Sequence, residues 1–104
     1  MQKPIQKFHK GVLHCLDGPA VEHLDGTKEW WVNGERHRTD GPAIEYLDGT
    51  CMYWLNGKLH RLDGPAIDMH VVKSWWHNGI CLNTIYFIEK KKIPGESYLK
   101  FGIR

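Results

Sequence analysis

With 104 residues and a formal net charge of +2, the chain makes one domain and carries no charge excess that would draw it to a polyanion. A quarter of its residues are charged and five are Trp, a composition that excludes a disordered chain. The first twenty residues hold no apolar run long enough for a signal peptide, and no later run is long enough to span a bilayer.

In chain order, residues 1–10 read as half a repeat. Setting Lys10-Gly11 on Asn33-Gly34 places residues 4–9 on residues 27–32, with Phe8 on Trp31. The array is therefore expected to begin at its first residues with no separate leader. Pro4 suits the start of an opening edge strand, where no ladder donor is needed. Next comes Lys10-Gly11-Val12-Leu13-His14-Cys15-Leu16-Asp17-Gly18-Pro19-Ala20. It returns 23 residues on as Asn33-Gly34-Glu35-Arg36-His37-Arg38-Thr39-Asp40-Gly41-Pro42-Ala43, and once more as Asn56-Gly57-Lys58-Leu59-His60-Arg61-Leu62-Asp63-Gly64-Pro65-Ala66. A period of this size marks an array whose units each lean on their neighbours.

Between these connectors the pattern reads strand, Asp-Gly, strand, Asn-Gly. Residues 19–24, Asp25-Gly26, residues 27–32 and Asn33-Gly34 make one unit. Such dipeptides between β-branched and aromatic runs signal hairpins. The expected fold is mainly β: an antiparallel meander of repeated hairpins over residues 1–79, with roughly seven strands of about six residues. The third unit is one residue short and lacks Asp-Gly, as befits a terminal repeat. Residues 80–104 are expected to form a helix and tail that pack on or cap the array. Asn83 is the N-cap, Ile85, Phe87 and Ile88 form a partial apolar stripe, Lys90 to Lys92 sit at the C-terminal dipole, and Ile93-Pro94-Gly95 is the stop.

A two-residue Asp25-Gly26 turn would pair Leu24 with Thr27 and Glu22 with Glu29. Alternation then sorts the sheet into two faces. Val21, Ile44, Ile67, Tyr46, Met69, Trp30, Tyr53, Trp75, Val32 and Leu55 form the expected core. The other face carries Glu22, Glu45 and Asp68 beside Trp31, Trp54 and Trp76, with equivalent residues about 10 Å apart. That face is either a partner-binding groove or a second core layer packed over Ala20, Ala43 and Ala66.

His14, His37 and His60 each stand three residues before Asp17, Asp40 and Asp63. A His-Asp pair suits a general-base dyad, but an active site is one constellation and these pairs are tiled. Only Ser74 and Ser97 offer a hydroxyl nucleophile of the serine type, and neither recurs with the pairs. The expected use is structural, with Asp capping the turn before Gly-Pro and the imidazole bonding a neighbouring connector. No catalytic residue is assigned. Equivalent His residues about 10 Å apart cannot share an ion whose ligands sit near 2 Å, so no metal site or cofactor is assigned either. Cys15, Cys51 and Cys81 are odd in number and unpaired in spacing, which suggests reduced thiols in a bacterial or infected-host cytoplasm. Lys90, Lys91, Lys92, Lys100 and Arg104 are candidate anion or nucleic-acid contacts, though a solvated helix end explains the lysine run as well.

The repeat resembles the MORN repeat, more closely its variant built on Asn-Gly-x-x-His-Arg-x-Asp-Gly-Pro-Ala, over residues 10–79. The resemblance implies a hairpin array that serves as an interaction scaffold, similar to small bacterial immunity proteins and bacteriophage or large-virus proteins, with no catalytic residues in the repeats. The expected function is non-enzymatic protein binding, in its concrete form inhibition of a toxin or defence protein. Nucleic-acid or nucleotide binding by Trp stacking is the alternative, and pairing of edge strands between copies would give a homodimer.

Overall fold

The structure is a computed structural model that describes residues 3–87, and all of the regular structure in this span is β. One unit shows how the chain is laid out. β4 (Val21–Glu22) turns back into β5 (Lys28–Glu29), the chain bends at Trp30, and β6 (Trp31–Val32) then pairs with β7 (Glu35–Arg36) across the Asn33-Gly34 turn. The next unit repeats this with β8 (Ile44–Glu45), β9 (Cys51–Met52), β10 (Trp54–Leu55) and β11 (Lys58–Leu59). Ahead of both lies the half unit of β1 (Ile5–Gln6), β2 (Phe8–His9) and β3 (Val12–Leu13), and after them β12 (Ile67–Asp68), β13 (Val72–His77) and β14 (Ile80–Tyr86). A single antiparallel sheet runs β1-β4-β5-β8-β9-β12-β13-β14, flanked by the two-stranded hairpins β2-β3, β6-β7 and β10-β11.

The expected six-residue strands are thus broken in two, and the break has a cause. Trp30 donates its N–H to the Ala43 C=O of the next unit at 2.7 Å, while its C=O accepts from His37 N–H in its own hairpin at 3.1 Å. Tyr53 divides itself in the same way between Ala66 and His60, and Lys7 between Ala20 and His14. One residue per unit therefore serves two sheets, and the strand bends there.

The Asn-Gly turns form as expected. Asn33 and Gly34 have φ of 50° and 79°, Asn56 and Gly57 50° and 77°, and Lys10 and Gly11 51° and 81°, the two positive angles of a type I′ turn. The Asp-Gly turns do not. Gly26 alone is left-handed, at 96°. His23 N–H donates to Thr27 C=O and Gly26 N–H to His23 C=O, so Leu24-Asp25-Gly26 is a three-residue loop. Asp25 Oδ1 accepts from Thr27 N–H at 2.8 Å, and Asp48 from Thr50 N–H at 2.9 Å. The extra loop residue moves the register by one, pairing Glu22 with Lys28 and Val21 with Glu29.

A one-residue slip sends the second strand's side chains to the opposite face, so the expected sorting of faces is corrected. One row across the sheet runs Gln6, Val21, Glu29, Ile44, Met52, Ile67, Ser74, Thr84; the other runs Ile5, Glu22, Lys28, Glu45, Cys51, Asp68, Lys73, Ile85. The core is thin. Ala20, Ala43 and Ala66 are fully buried, Val21 and Ile44 nearly so, and Thr27, Thr50 and Ser74 join them, with no large side chain wholly enclosed among the described residues. Tyr46, expected in the core, is exposed. The described chain is a slab of 60 × 36 × 17 Å with a radius of gyration of 16.8 Å, against about 13 Å for a compact chain of 100 residues.

The last hairpin differs. Met69 N–H donates to Val72 C=O around His70-Val71, so the missing residue is taken out of the loop and the register survives. β13 and β14 then run on without a corner, from Val72↔Tyr86 to His77↔Ile80, with a bulge at Trp75/Trp76. The helix expected from Asn83 is not formed through Tyr86, because Thr84, Ile85 and Tyr86 are strand formers and pair with Ser74, Lys73 and Val72. The rest of that segment and the tail, with Lys90, Lys91, Lys92, Lys100 and Arg104, lie outside the described residues from Ile88 onward.

Candidate functional site

The hairpins build a second layer, stapled unit to unit. Gly34 N–H donates to Leu13 C=O, Gly57 N–H to Arg36 C=O and Gly79 N–H to Leu59 C=O, each at 2.8–2.9 Å. Beside each bond an imidazole accepts a backbone N–H of the next unit's turn: His14 Nδ1 from Asn33 at 2.9 Å, His37 Nδ1 from Asn56 at 2.9 Å, His60 Nδ1 from Asn78 at 3.0 Å. The His of every connector thus bonds the next unit's turn.

The Asp has a different partner from the one expected. Asp40 accepts from Arg38 Nε and Asp63 from Arg61 Nε, both at 3.0 Å, and Asp17 from the Cys15 thiol at 3.2 Å. Arg38 lies 3.8 Å over the Trp30 ring and Arg61 3.9 Å over Tyr53, and each also donates to the Pro carbonyl of its connector. Arg-x-Asp-Gly-Pro therefore clamps the corner aromatic. Where the corner is Lys7, the Arg position holds Cys15. His and Asp of a connector are committed to different neighbours. Two open depressions of about 590 and 560 Å³ lie between successive connectors, with linings related by the same 23-residue step. Among the described residues no three His, Cys, Asp or Glu side chains are grouped to hold a metal ion.

Glu22, Glu45 and Asp68 are separated from Trp31, Trp54 and Trp76 by the register change. The acids share their row with Lys28 and Lys73. Glu45 accepts from Arg38 Nη1 at 2.9 Å, and Asp68 pairs with Lys73. Burial, then the carboxylates of Glu45 and Asp68, push the Cys51 thiol up. The one aromatic this acidic row is recorded to reach, through Glu45 and Arg38, is the corner Trp30.

Trp31 and Trp54 stand in the flanking hairpins, and Trp76 in the last turn-side stretch of β13, which belongs to the main sheet. Cross-strand pairing sets Phe8 with Leu13, Trp31 with Arg36, Trp54 with Leu59 and Trp76 with Cys81. Paired residues share a face, so large side chains cross four hairpins in one row. Phe8 is 58% exposed, and the three Trp residues are half-buried. Arg36 lies 4.9 Å from the Trp31 ring centre and 5.2 Å from that of Trp54, bridging two units. Two residues before each Trp is its hydrogen-bond acceptor: Glu29 Oε1 for Trp31 Nε1 and Ser74 Oγ for Trp76 Nε1, both at 2.9 Å. Met52 holds that place in the middle unit, and Trp54 Nε1 is buried without a partner.

Glu29 holds Trp31 by a hydrogen bond and Arg36 by an ion pair. Burial alone would raise its pKa, but hydrogen bonds from His23 and Trp31 and the charge of Arg36 outweigh burial and hold its carboxyl below the usual range. The sequence pointed to the three Trp residues as a set. It did not point to Arg36, whose only signal was a cation where the sister repeats carry Leu13 and Leu59. No protein-family model matches the chain, and no match to it is found among curated proteins or solved structures.

Proposed function

We propose that the chain is a non-enzymatic protein-interaction module whose contact surface is the row of Phe8, Trp31, Arg36, Trp54, Leu59 and Trp76. The observation that carries this reading is geometric. A thin slab sets three of its five Trp side chains in one half-exposed stripe and buries only small ones completely, whereas stability alone favours burying the largest apolar area. Aromatic and Arg side chains in a line supply the anchors that protein interfaces use. The repeat's resemblance to variant MORN arrays supports the narrower proposal that the partner is a bacterial toxin or defence protein.

The test compares immobilised wild-type chain with Trp54→Ala, after both are shown to unfold at similar temperatures. Quantitative mass spectrometry of proteins retained from a cell lysate reads the outcome. An anchor residue is worth about 2 kcal/mol or more, or roughly 30-fold in affinity. Retention of the same proteins at the same level by Trp54→Ala would remove this row as the contact surface.

A further inference from the structure

We infer that the face of the hairpins opposite the Trp row takes a proline-rich segment of a partner protein. The segment lies across the connectors as a polyproline II helix, with apolar side chains three residues apart and basic residues at its flanks. The inference goes beyond the row and does not depend on it. Val32 and Leu55 stand next to Trp31 and Trp54 in their strands, and alternation turns them to the other face.

The two depressions between successive connectors carry the argument. Every residue lining the first has its counterpart 23 residues on in the second, as Cys15 has Arg38, Val32 has Leu55 and Asp40 has Asp63. Each has a half-buried floor, Trp30 with Val32 in one and Tyr53 with Leu55 in the other. A leucine forms the outer wall of each. Leu16 and Leu62 are both 80% exposed, and the middle connector has Thr39 in that place, so the array itself does not require leucine there. Thr39 and Asp40 line both depressions and are exposed, which makes them the ridge between the two.

The spacing selects the occupant. Units step by two strand spacings, about 10 Å. A β-strand returns to one face after about 6.7 Å and again after about 13 Å, so no two of its residues fill both depressions. An α-helix returns to one face after seven residues, about 10.5 Å, but it sets residues three and four on near the midpoint, where the Thr39-Asp40 ridge stands. A polyproline II helix has three residues per turn and rises about 3.1 Å per residue. Side chains three apart therefore share one side about 9.3 Å from each other, with none between them on that side. Such a segment is extended before it binds, which lowers the cost of ordering it.

Charge sets the flanks. The Asp40 and Asp63 side chains are 83% and 88% exposed, and Arg38 and Arg61 answer them. Arg38 also answers Glu45, while Asp17 has the Cys15 thiol at 3.2 Å and Lys7 only at longer range. Three cations thus meet four carboxylates, and the surface is acidic on balance. Lys or Arg at the ends of the segment complements it.

The experiment uses the full chain labelled with ¹⁵N and reads the backbone N–H signals of Leu16 and Leu62. The probe is acetyl-Lys-Pro-Leu-Pro-Pro-Leu-Pro-Lys-amide, with its leucines three apart. Two blocked peptides of the same composition set them two apart (Lys-Pro-Leu-Pro-Leu-Pro-Pro-Lys) and four apart (Lys-Leu-Pro-Pro-Pro-Leu-Pro-Lys). The first is expected to shift both signals saturably and together, with affinity about tenfold or more above either of the others. Leu62→Thr, which gives the third connector the residue of the second, is expected to keep the unfolding midpoint and to weaken the peptide about fivefold. Leu16→Thr serves the same comparison at the other end. Equal affinity for the three spacings, no saturable shift by about 10 mM, or an affinity untouched by both substitutions would overturn the inference. So would tighter binding of a helical alanine-based peptide with leucines seven apart. Equal binding of the first peptide with both Lys exchanged for Glu would overturn the basic flanks. These peptides read the groove alone and the Trp54→Ala comparison reads the row, so either can fail while the other holds.

Discussion

Replacing Met52 by Gln should stabilise the protein. Met52 is half-buried in a row between Ile44 and Ile67, two residues before Trp54, whose indole N–H has no partner. Gln has nearly the shape of Met and offers a carbonyl oxygen where Glu29 offers a carboxylate. It avoids an added charge, which matters because the position of Arg36 is taken by Leu59 in this unit and that of His23 by Tyr46. Pairing a buried donor recovers about 1–3 kcal/mol. Exchanging a half-buried thioether for an amide forfeits about 0.5–1 kcal/mol of apolar burial, and the weak contact from Tyr46 O–H to Met52 Sδ at 3.9 Å is lost. The net gain is about 1 kcal/mol, which raises the unfolding midpoint by about 4–8 °C in a domain of this size. Thermal and urea unfolding of Met52→Gln measure it, alone and with Trp54→Phe. The gain must vanish in the Trp54→Phe background, where the indole N–H is gone. A gain of the same size in both backgrounds, or none in either, would refute the assignment of Trp54 as an unpaired donor.

Four further outcomes follow from the turns and staples. Lys10 holds the left-handed position that Asn fills in the other turns, so Lys10→Asn should add about 0.5–1 kcal/mol of stability in urea unfolding. His37→Ala removes the acceptor for Asn56 N–H and should cost about 0.5–1.5 kcal/mol. Substituting His14, His37 and His60 together should cost close to the sum of the single losses, since additivity holds for separate sites. Acid unfolding reports the Asp turns. The Thr27 and Thr50 N–H bonds hold the carboxyls of Asp25 and Asp48 below their usual range. The unfolded chain therefore binds protons that the folded one refuses, and their contribution is present above the ordinary Asp range and lost as pH falls through the folded values. Asp25→Asn with Asp48→Asn should flatten the acid limb of a plot of unfolding midpoint against pH, and an unchanged limb would contradict the turn geometry.

Much of this architecture was written in the repeats. The period, the hairpin class and the Asn-Gly turns came from residues whose local preference leaves little choice, since two positive φ angles in succession suit Asn-Gly. Asp-Gly was misleading because Asp25 can cap Thr27 N–H while keeping negative φ, which inserts a third loop residue. That residue reversed half of the predicted faces and parted the Trp residues from the acids. The corners at Trp30 and Tyr53 were hidden because they depend on which neighbour takes each backbone group, a matter of tertiary pairing. The segment from Asn83 to Tyr86 was misread because Asn83 looks like an N-cap wherever it stands, while the hairpin that opens at Asn78-Gly79 runs on as far as the Val72↔Tyr86 pair. Of the surface, the Trp residues were visible by their recurrence. Arg36 and Met52 were visible only as exceptions to the repeat, and the place of Arg36 against the Trp54 ring required the structure.

The unbent final hairpin has a consequence for growth of the molecule. Interior segments begin and end with the same hydrogen-bonding hand-over, so a duplicate of residues 33–55 would find matching neighbours on both flanks. Each copy spliced in would lengthen the ribbon by two strand spacings, about 10 Å. The last hairpin would stay as it is now, because among the described residues β14 pairs with β13 alone in the sheet. Length in this protein is therefore a quantity that copying a stretch of chain can dial, with its two termini left untouched.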